Sequence, residues 1–173
     1  MPGKADETGR SPVIYYIRHG QTNWNAERRF QGRCDIPLNN TGMEQARENG
    51  RRLATLLDDP ERFDFICSPL GRARHTMEIV RAELGIEPGG YRIEERLQEA
   101  SYGAWEGISE QDIIRDFPDL WASRKADRWT FQPPKGESLA QVIERIRPVF
   151  DAIGKDTVIV AHGAVGRAVR RYM

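Results

Sequence analysis

Three short, almost unbroken apolar runs punctuate the chain: Val13 to Ile17, Phe63 to Cys67 and Thr157 to Ala161, with a weaker fourth at Tyr91 to Ile93. Runs this short, rich in β-branched and aromatic residues, predict strands covered on both faces, as in a parallel sheet. Between them apolar residues recur at helical spacing. Met43, Ala46, Leu53, Ala54 and Leu57 predict a helix opened by a capping box of Thr41 and Glu44. Arg72 to Leu84 predicts a second, with Ala73, Met77, Val80 and Leu84 inward, and Ser109 to Ala122 a third. Ser138 and Gln141 cap a fourth, whose stripe of Leu139, Val142, Ile143, Ile146, Phe150 and Ile153 should bend at Pro148. Alternating strands and helices predict an α/β fold of three layers, a mostly parallel central sheet with helices on both faces. Residues 1–11, polar with Gly and Pro, are expected to form a disordered tail, and residues 12–173 one domain.

Composition narrows the chemistry by exclusion. Basic and acidic residues both number 26, so the formal net charge is zero and no general field draws nucleic acid or an anionic membrane. Cys34 and Cys67 are too few for a disulfide framework or a Cys-rich zinc site. No apolar stretch reaches the length of a membrane span, and a cytoplasmic protein is expected. Any strong grip on an anion must come from a local basic cluster.

Such a cluster lies where ligands bind in open α/β sheets, beyond the carboxyl ends of the strands. The first strand runs into Arg18-His19-Gly20, the second through Ser68-Pro69 to Arg72 and Arg74, and the last into His162-Gly163. One histidine at a strand end is usually structural; two at matched ends with arginines beside them point to a site. Phosphoryl transfer needs positioning and charge cancellation on the phosphoryl oxygens, which the arginine fork supplies. Arg18 and Arg72 are candidate clamps, Asn25 and the backbone near Gly20 candidate uncharged donors. A neutral imidazole can attack phosphorus, and neighbouring cations favour the neutral ring. The leaving oxygen needs an acid. Glu99 and Glu106, in a Gly- and aromatic-rich loop, are both candidates, and the residues alone do not choose between them. Cys67 and Arg72 stand one position too close for the loop of the cysteine phosphatases.

The segment Arg18-His19-Gly20-Gln21-Thr22-Asn23-Trp24-Asn25 resembles the signature of the histidine phosphatase superfamily, in its phosphoglycerate mutase-like phosphatase branch. The likeness continues through Gln31-Gly32, Thr41-Gly42, Ser68-Pro69-Leu70-Gly71-Arg72, the Glu99 loop, Gly136-Glu137-Ser138-Leu139 and Ala161-His162-Gly163. It implies that His19 becomes a phosphohistidine, that Glu99 is the acid and base, and that His162 supports the transferring group. By the same matching Arg18, Asn25, Arg72 and Gly163 hold phosphate, and Gln31, Gly32, Arg74 and Tyr102 lie near substrate. It implies no metal and no diffusible cofactor. The expected partner is a small phosphorylated metabolite, with neither nucleic acid nor membrane; a homodimer is left open.

Within this resemblance, hydrolysis of small phosphate monoesters is favoured over phosphoglycerate mutase activity. The span from Glu99 to Gly136 is short, with Arg124, Lys125 and Arg128 its nearest basic cluster, and Gln21 stands where many mutases have Glu. A non-catalytic phospho-ligand binding protein is the remote alternative, opposed by retention of both histidines, both arginines and the acid. Relatives run on beyond the second histidine, whereas here an apolar helix pattern ends at Met173. A truncated C-terminal part is therefore expected.

Overall fold

The computed structural model describes residues 10–173 and contains four strands, β1 (Ile14–Arg18), β2 (Asp64–Cys67), β3 (Arg92–Ile93) and β4 (Thr157–Ala161). They form one sheet in the order β1-β4-β2-β3, every neighbouring pair parallel. The tail expected over 1–11 lies outside the described residues as far as position 9; Arg10 pairs with Asp156 at 2.5 Å.

Among the described residues seven α-helices accompany the sheet: α1 (Asn23–Ala26), α2 (Asn40–Ala54), α3 (Gly71–Glu83), α4 (Glu110–Asp116), α5 (Pro118–Ala126), α6 (Leu139–Asp151) and α7 (Gly163–Tyr172). The central strand β4 shows why there are three layers. It is buried along its whole length, and its alternate residues feed two cores. Val158 and Val160 pack with Ala73, Met77, Val80 and Leu53 of α2 and α3. Ile159 and Ala161 pack with Ile143, Ile146, Val165 and Ala168 of α6 and α7. Each such buried aliphatic side chain contributes roughly 1.5–3 kcal/mol. A third, aromatic cluster of Trp105, Ile113 and Trp121, joined by Phe30 and Tyr102, lies under α4 and α5.

Two expectations change. The cap of α2 is Asn39, whose side chain accepts from Gly42 N, rather than Thr41. Asn39 also donates to Gln21 Oε1 at 3.0 Å, so the cap is tied to the loop after β1. The helix expected over Ser109 to Ala122 is two helices, because Pro118 drives Phe117 out of the helical region (φ −135°, ψ 54°) and then serves as the first residue of α5. Pro148 lies inside α6, which continues to Asp151. That proline is solvent-exposed, so water can satisfy the carbonyl left without its helical donor.

Candidate active site

The parallel register brings three strand ends side by side. Backbone bonds continue one residue past each strand: His19 N donates to Ala161 O and Ser68 N to Val160 O, both at 3.0 Å. His19, Ser68 and His162 thereby emerge on adjacent strands at one edge. The rings of His19 and His162 are 5.1 Å apart, centroid to centroid. Both are buried, at 6% and 0% exposure.

The two ring nitrogens of His19 have different tasks. Nδ1 lies 2.7 Å from Gly20 O, a carbonyl that can only accept, so Nδ1 carries the proton and Nε2 keeps its lone pair. Arg72 Nε is 3.3 Å from that Nε2. Burial, then the Arg72 guanidinium, and less strongly Arg18, lower the pKa of His19 to about 3 against the opposing bond to Gly20. The ring is held neutral, and its Nε2 lone pair faces the Arg72 guanidinium.

Arg72 sits in the first turn of α3 and is 1% exposed. Its Nη1 donates to Cys34 O at 2.6 Å and its Nη2 to Gly32 O at 2.7 Å. Gly32 has φ +53°, and a Cβ there would fall 2.0 Å from Glu106 Oε1, so the carbonyl can be turned toward Arg72 only by glycine. Burial pushes the Arg72 pKa down, though an arginine stays charged.

Glu99 is 8% exposed and accepts from two backbone amides: Ala100 N to Oε1 at 2.9 Å, and Ala164 N to Oε1 at 3.0 Å. It is the one carboxyl among the residues lining a cavity of about 160 Å³ that also exposes Arg18, His19, Asn25, Arg72 and Gly163. Glu106, the rival acid, lies outside this cavity. Its carboxylate accepts from Arg33 N, Ser101 Oγ, Tyr102 N and Cys34 Sγ, tying the Gly32 loop to the Tyr102 loop.

His162 caps α7, so Gly163 opens a ten-residue helix whose free N–H groups and dipole favour an anion. Its Nε2 is 2.7 Å from Ser68 Oγ, while its buried Nδ1 has no partner. Burial first, then Arg72 and His19, hold its pKa well below the ordinary range. Tyr16 fixes the backbone of the same residue, donating to His162 O at 2.7 Å and accepting from His162 N at 3.0 Å.

Of the remaining expected residues, Gln31, Gly32 and Tyr102 line the cavity with Asn25. The Asn25 and Gln31 side-chain oxygens accept from Thr22, which leaves both amide NH2 groups as donors. Arg74 is not brought to the cavity: two positions after Arg72 it lies on the exposed side of α3, 3.4 Å from Tyr91 Oη. Sequence reasoning named Ser68 without a role and missed Tyr16, Phe30 and Arg167. A usable signal existed for Arg167, a cation four residues after Gly163 and hence on the same face in the first turns of α7, where the helix dipole disfavours one.

The histidine phosphatase superfamily (branch 1) model matches residues 14–173, and the chain belongs to that family. It is 31% identical over 169 residues to a 2,3-bisphosphoglycerate-dependent phosphoglycerate mutase of Beijerinckia indica subsp. indica, covering 91% of this chain and 78% of that one. It is 33% identical over 156 residues to a probable phosphoglycerate mutase of Photorhabdus laumondii, covering 87% and 69%. Among solved structures, a mycobacterial glucosyl-3-phosphoglycerate phosphatase complexed with VO3 superposes with a TM-score of 0.77 at 28% identity, covering 91% and 79%. Members of both kinds, mutases and phosphatases, thus resemble the chain at similar distance. No helix among the described residues is long and apolar enough to cross a membrane.

Proposed function

We propose that the protein hydrolyses small phosphate monoesters through a phosphohistidine at His19. The observation that carries this reading is the fixed tautomer of His19: Gly20 O holds the proton on Nδ1, leaving the Nε2 lone pair turned toward Arg72 Nε, 3.3 Å away. Nε2 forms the P–N bond as the ester P–O bond breaks. Arg18, Arg72, Asn25 and the N–H of Gly163 take the charge on the equatorial oxygens. Glu99, protonated for this step, gives its proton to the departing alkoxide. Water then attacks phosphorus, Glu99 takes back a proton, and Nε2 leaves with its electron pair. The net change is ester plus water to alcohol plus inorganic phosphate.

Mutase activity is the second reading, favoured by the named activity of the Beijerinckia indica relative. The two differ only in what discharges the phosphoenzyme. Incubation with p-nitrophenyl phosphate, and separately with 3-phosphoglycerate and its bisphosphate, distinguishes them. Release of inorganic phosphate with a phosphoenzyme at His19 is expected. Isomerisation without net phosphate release would transfer the conclusion to the mutase reading.

A further inference from the structure

The carbonyl that receives the His19 proton lies in a turn whose polar backbone atoms are all engaged. Gly20 N donates to Thr76 Oγ1 at 3.1 Å, and Gly20 O accepts from His19 Nδ1. Gln21 N donates to Gln45 Oε1 at 2.9 Å, and Gln21 O accepts from Asn39 N at 3.0 Å. Gly42 of α2 closes on the same turn, since a Cβ on Gly20 would lie 2.2 Å from Gly42 O. Two side chains, Gln45 of α2 and Thr76 of α3, thus grip one glycine from either side.

The grip sets a direction. In a trans peptide the carbonyl and the N–H point to opposite sides. Gln45 Oε1 draws the Gln21 N–H one way and so turns Gly20 O the other, toward the imidazole. Glycine's own backbone preferences would not hold that orientation. Thr76 fixes the preceding peptide. Its hydroxyl proton goes to Arg72 O at 2.8 Å, which leaves a lone pair for Gly20 N. Thr76 is 0% exposed, so the hydroxyl ties the turn after His19 to the first turn of α3, where Arg72 sits, out of reach of water.

A helical threonine bonded to the carbonyl four residues earlier is common, and so is a surface glutamine. The atom these two control sets them apart. As Nε2 attacks phosphorus the ring gains positive charge, and its Nδ1–H bond to a carbonyl strengthens. Burial, Arg72 and Arg18 oppose a positive charge on His19, whereas the bond to Gly20 O favours it. Arg72 Nε, 3.3 Å from Nε2, supports the same tautomer but repels the charge that develops. We propose that Gln45 and Thr76 are positioning residues for phosphoryl transfer, aiming the Gly20 carbonyl at His19 Nδ1 through the peptides on either side of Gly20. The inference rests on the phosphoryl-transfer reading of the site.

The aim is read without substrate. In the nitrogen-edited proton spectrum of labelled protein, the His19 Nδ1–H resonance is the one that vanishes in His19→Gln. It is expected far downfield in the unsubstituted protein, and should move upfield or broaden beyond detection in Thr76→Val and in Gln45→Leu. Thr76→Ser, which keeps the hydroxyl, should restore it. With p-nitrophenyl phosphate, kcat should fall about tenfold in Thr76→Val and about threefold in Gln45→Leu, with KM little changed. Gln45 is exposed, so its variant tests the aim even where Thr76→Val does not fold. A resonance that stays in place in Gln45→Leu and in folded Thr76→Val overturns the proposal, as does one that moves while kcat does not. Absence of turnover in the unsubstituted protein, with the resonance responding as expected, instead overturns the phosphoryl-transfer reading.

Discussion

The ends of β1 and β4 carry the same dipeptide, His-Gly, on adjacent parallel strands, yet they place their histidines in opposite chemical situations. After His19 the chain enters a loop, and Gly20 O is free to accept from Nδ1 of the preceding ring. After His162 the chain enters α7 at once, and the His162 carbonyl is taken by Gly166 N and by Tyr16. No local carbonyl reaches its Nδ1, and Ser68 meets the other ring nitrogen instead. A loop fixes the first imidazole with its proton on Nδ1 and its Nε2 lone pair toward Arg72; a helix start leaves the second with an unpartnered Nδ1. One dipeptide thus acquires two hydrogen-bonding environments from the backbone that continues beyond its glycine.

The largest effect should come from His19→Ala. Removing the attacking nitrogen should lower kcat by about 10⁴-fold or more and abolish the phosphoenzyme, read by intact mass after brief exposure to substrate. His162→Ala should retain a detectable phosphoenzyme, because it removes a supporting donor. Equal labelling of the two variants would erase the asymmetry.

Both histidines also cost stability in acid. Their folded-state pKa values lie below the ordinary value of about 6.5, His19 at about 3. Below pH 6.5 the unfolded chain therefore binds more protons than the folded one. Stability should fall as pH drops from about 6.5 toward 3, at up to ~1.4 kcal/mol per pH unit for each histidine. Denaturant titration of His19→Gln should show a shallower decline over that window; an unchanged slope would mean that burial does not hold the ring neutral.

The two glycines should differ as well. A Cβ on Gly20 would lie 2.2 Å from Gly42 O, backbone against backbone, whereas one on Gly163 would meet Arg18 Nε at 3.4 Å, an ordinary contact. Gly20→Ala should cost about 1–3 kcal/mol of stability by overpacking and Gly163→Ala under about 1 kcal/mol, measured by urea unfolding.

Much of this was legible in the sequence. The apolar run of β4 and the stripe of α6 specify their elements because both are buried on the faces the pattern predicts. The Phe117–Pro118 break went unread: a proline inside an amphipathic pattern can end a helix, as there, or ride through it, as at Pro148, and the pattern alone does not say which. His19, Arg72 and His162 stood out because strand ends concentrate chemistry, whereas only the family resemblance separated Glu99 from Glu106. The residues that hold them did not stand out. Ser68 and Tyr16 act on His162 from 94 and 146 positions away, a relation set by strand order, which no local periodicity encodes. Arg74 shows the converse: adjacency to Arg72 in sequence puts it on another side of the helix.

The smallest expected effect probes the weaker half of the comparison, the tautomer of His162. Ser68 Oγ lies 3.4 Å from Leu70 N, so one of its lone pairs faces a donor and its proton is free for His162 Nε2. When Ser68 donates to Nε2 the imidazole proton sits on Nδ1, the atom without a partner. The opposite tautomer would leave a lone pair there. Ser68→Ala removes the preference and should lower kcat about tenfold, the equivalent of about 1.4 kcal/mol, with KM for p-nitrophenyl phosphate little changed. The decisive control is the double variant: once His162 is alanine, Ser68→Ala should add almost nothing. If the tenfold loss persists in that background, Ser68 acts on the site by some route other than His162, and the contrast between the two strand ends reduces to burial alone.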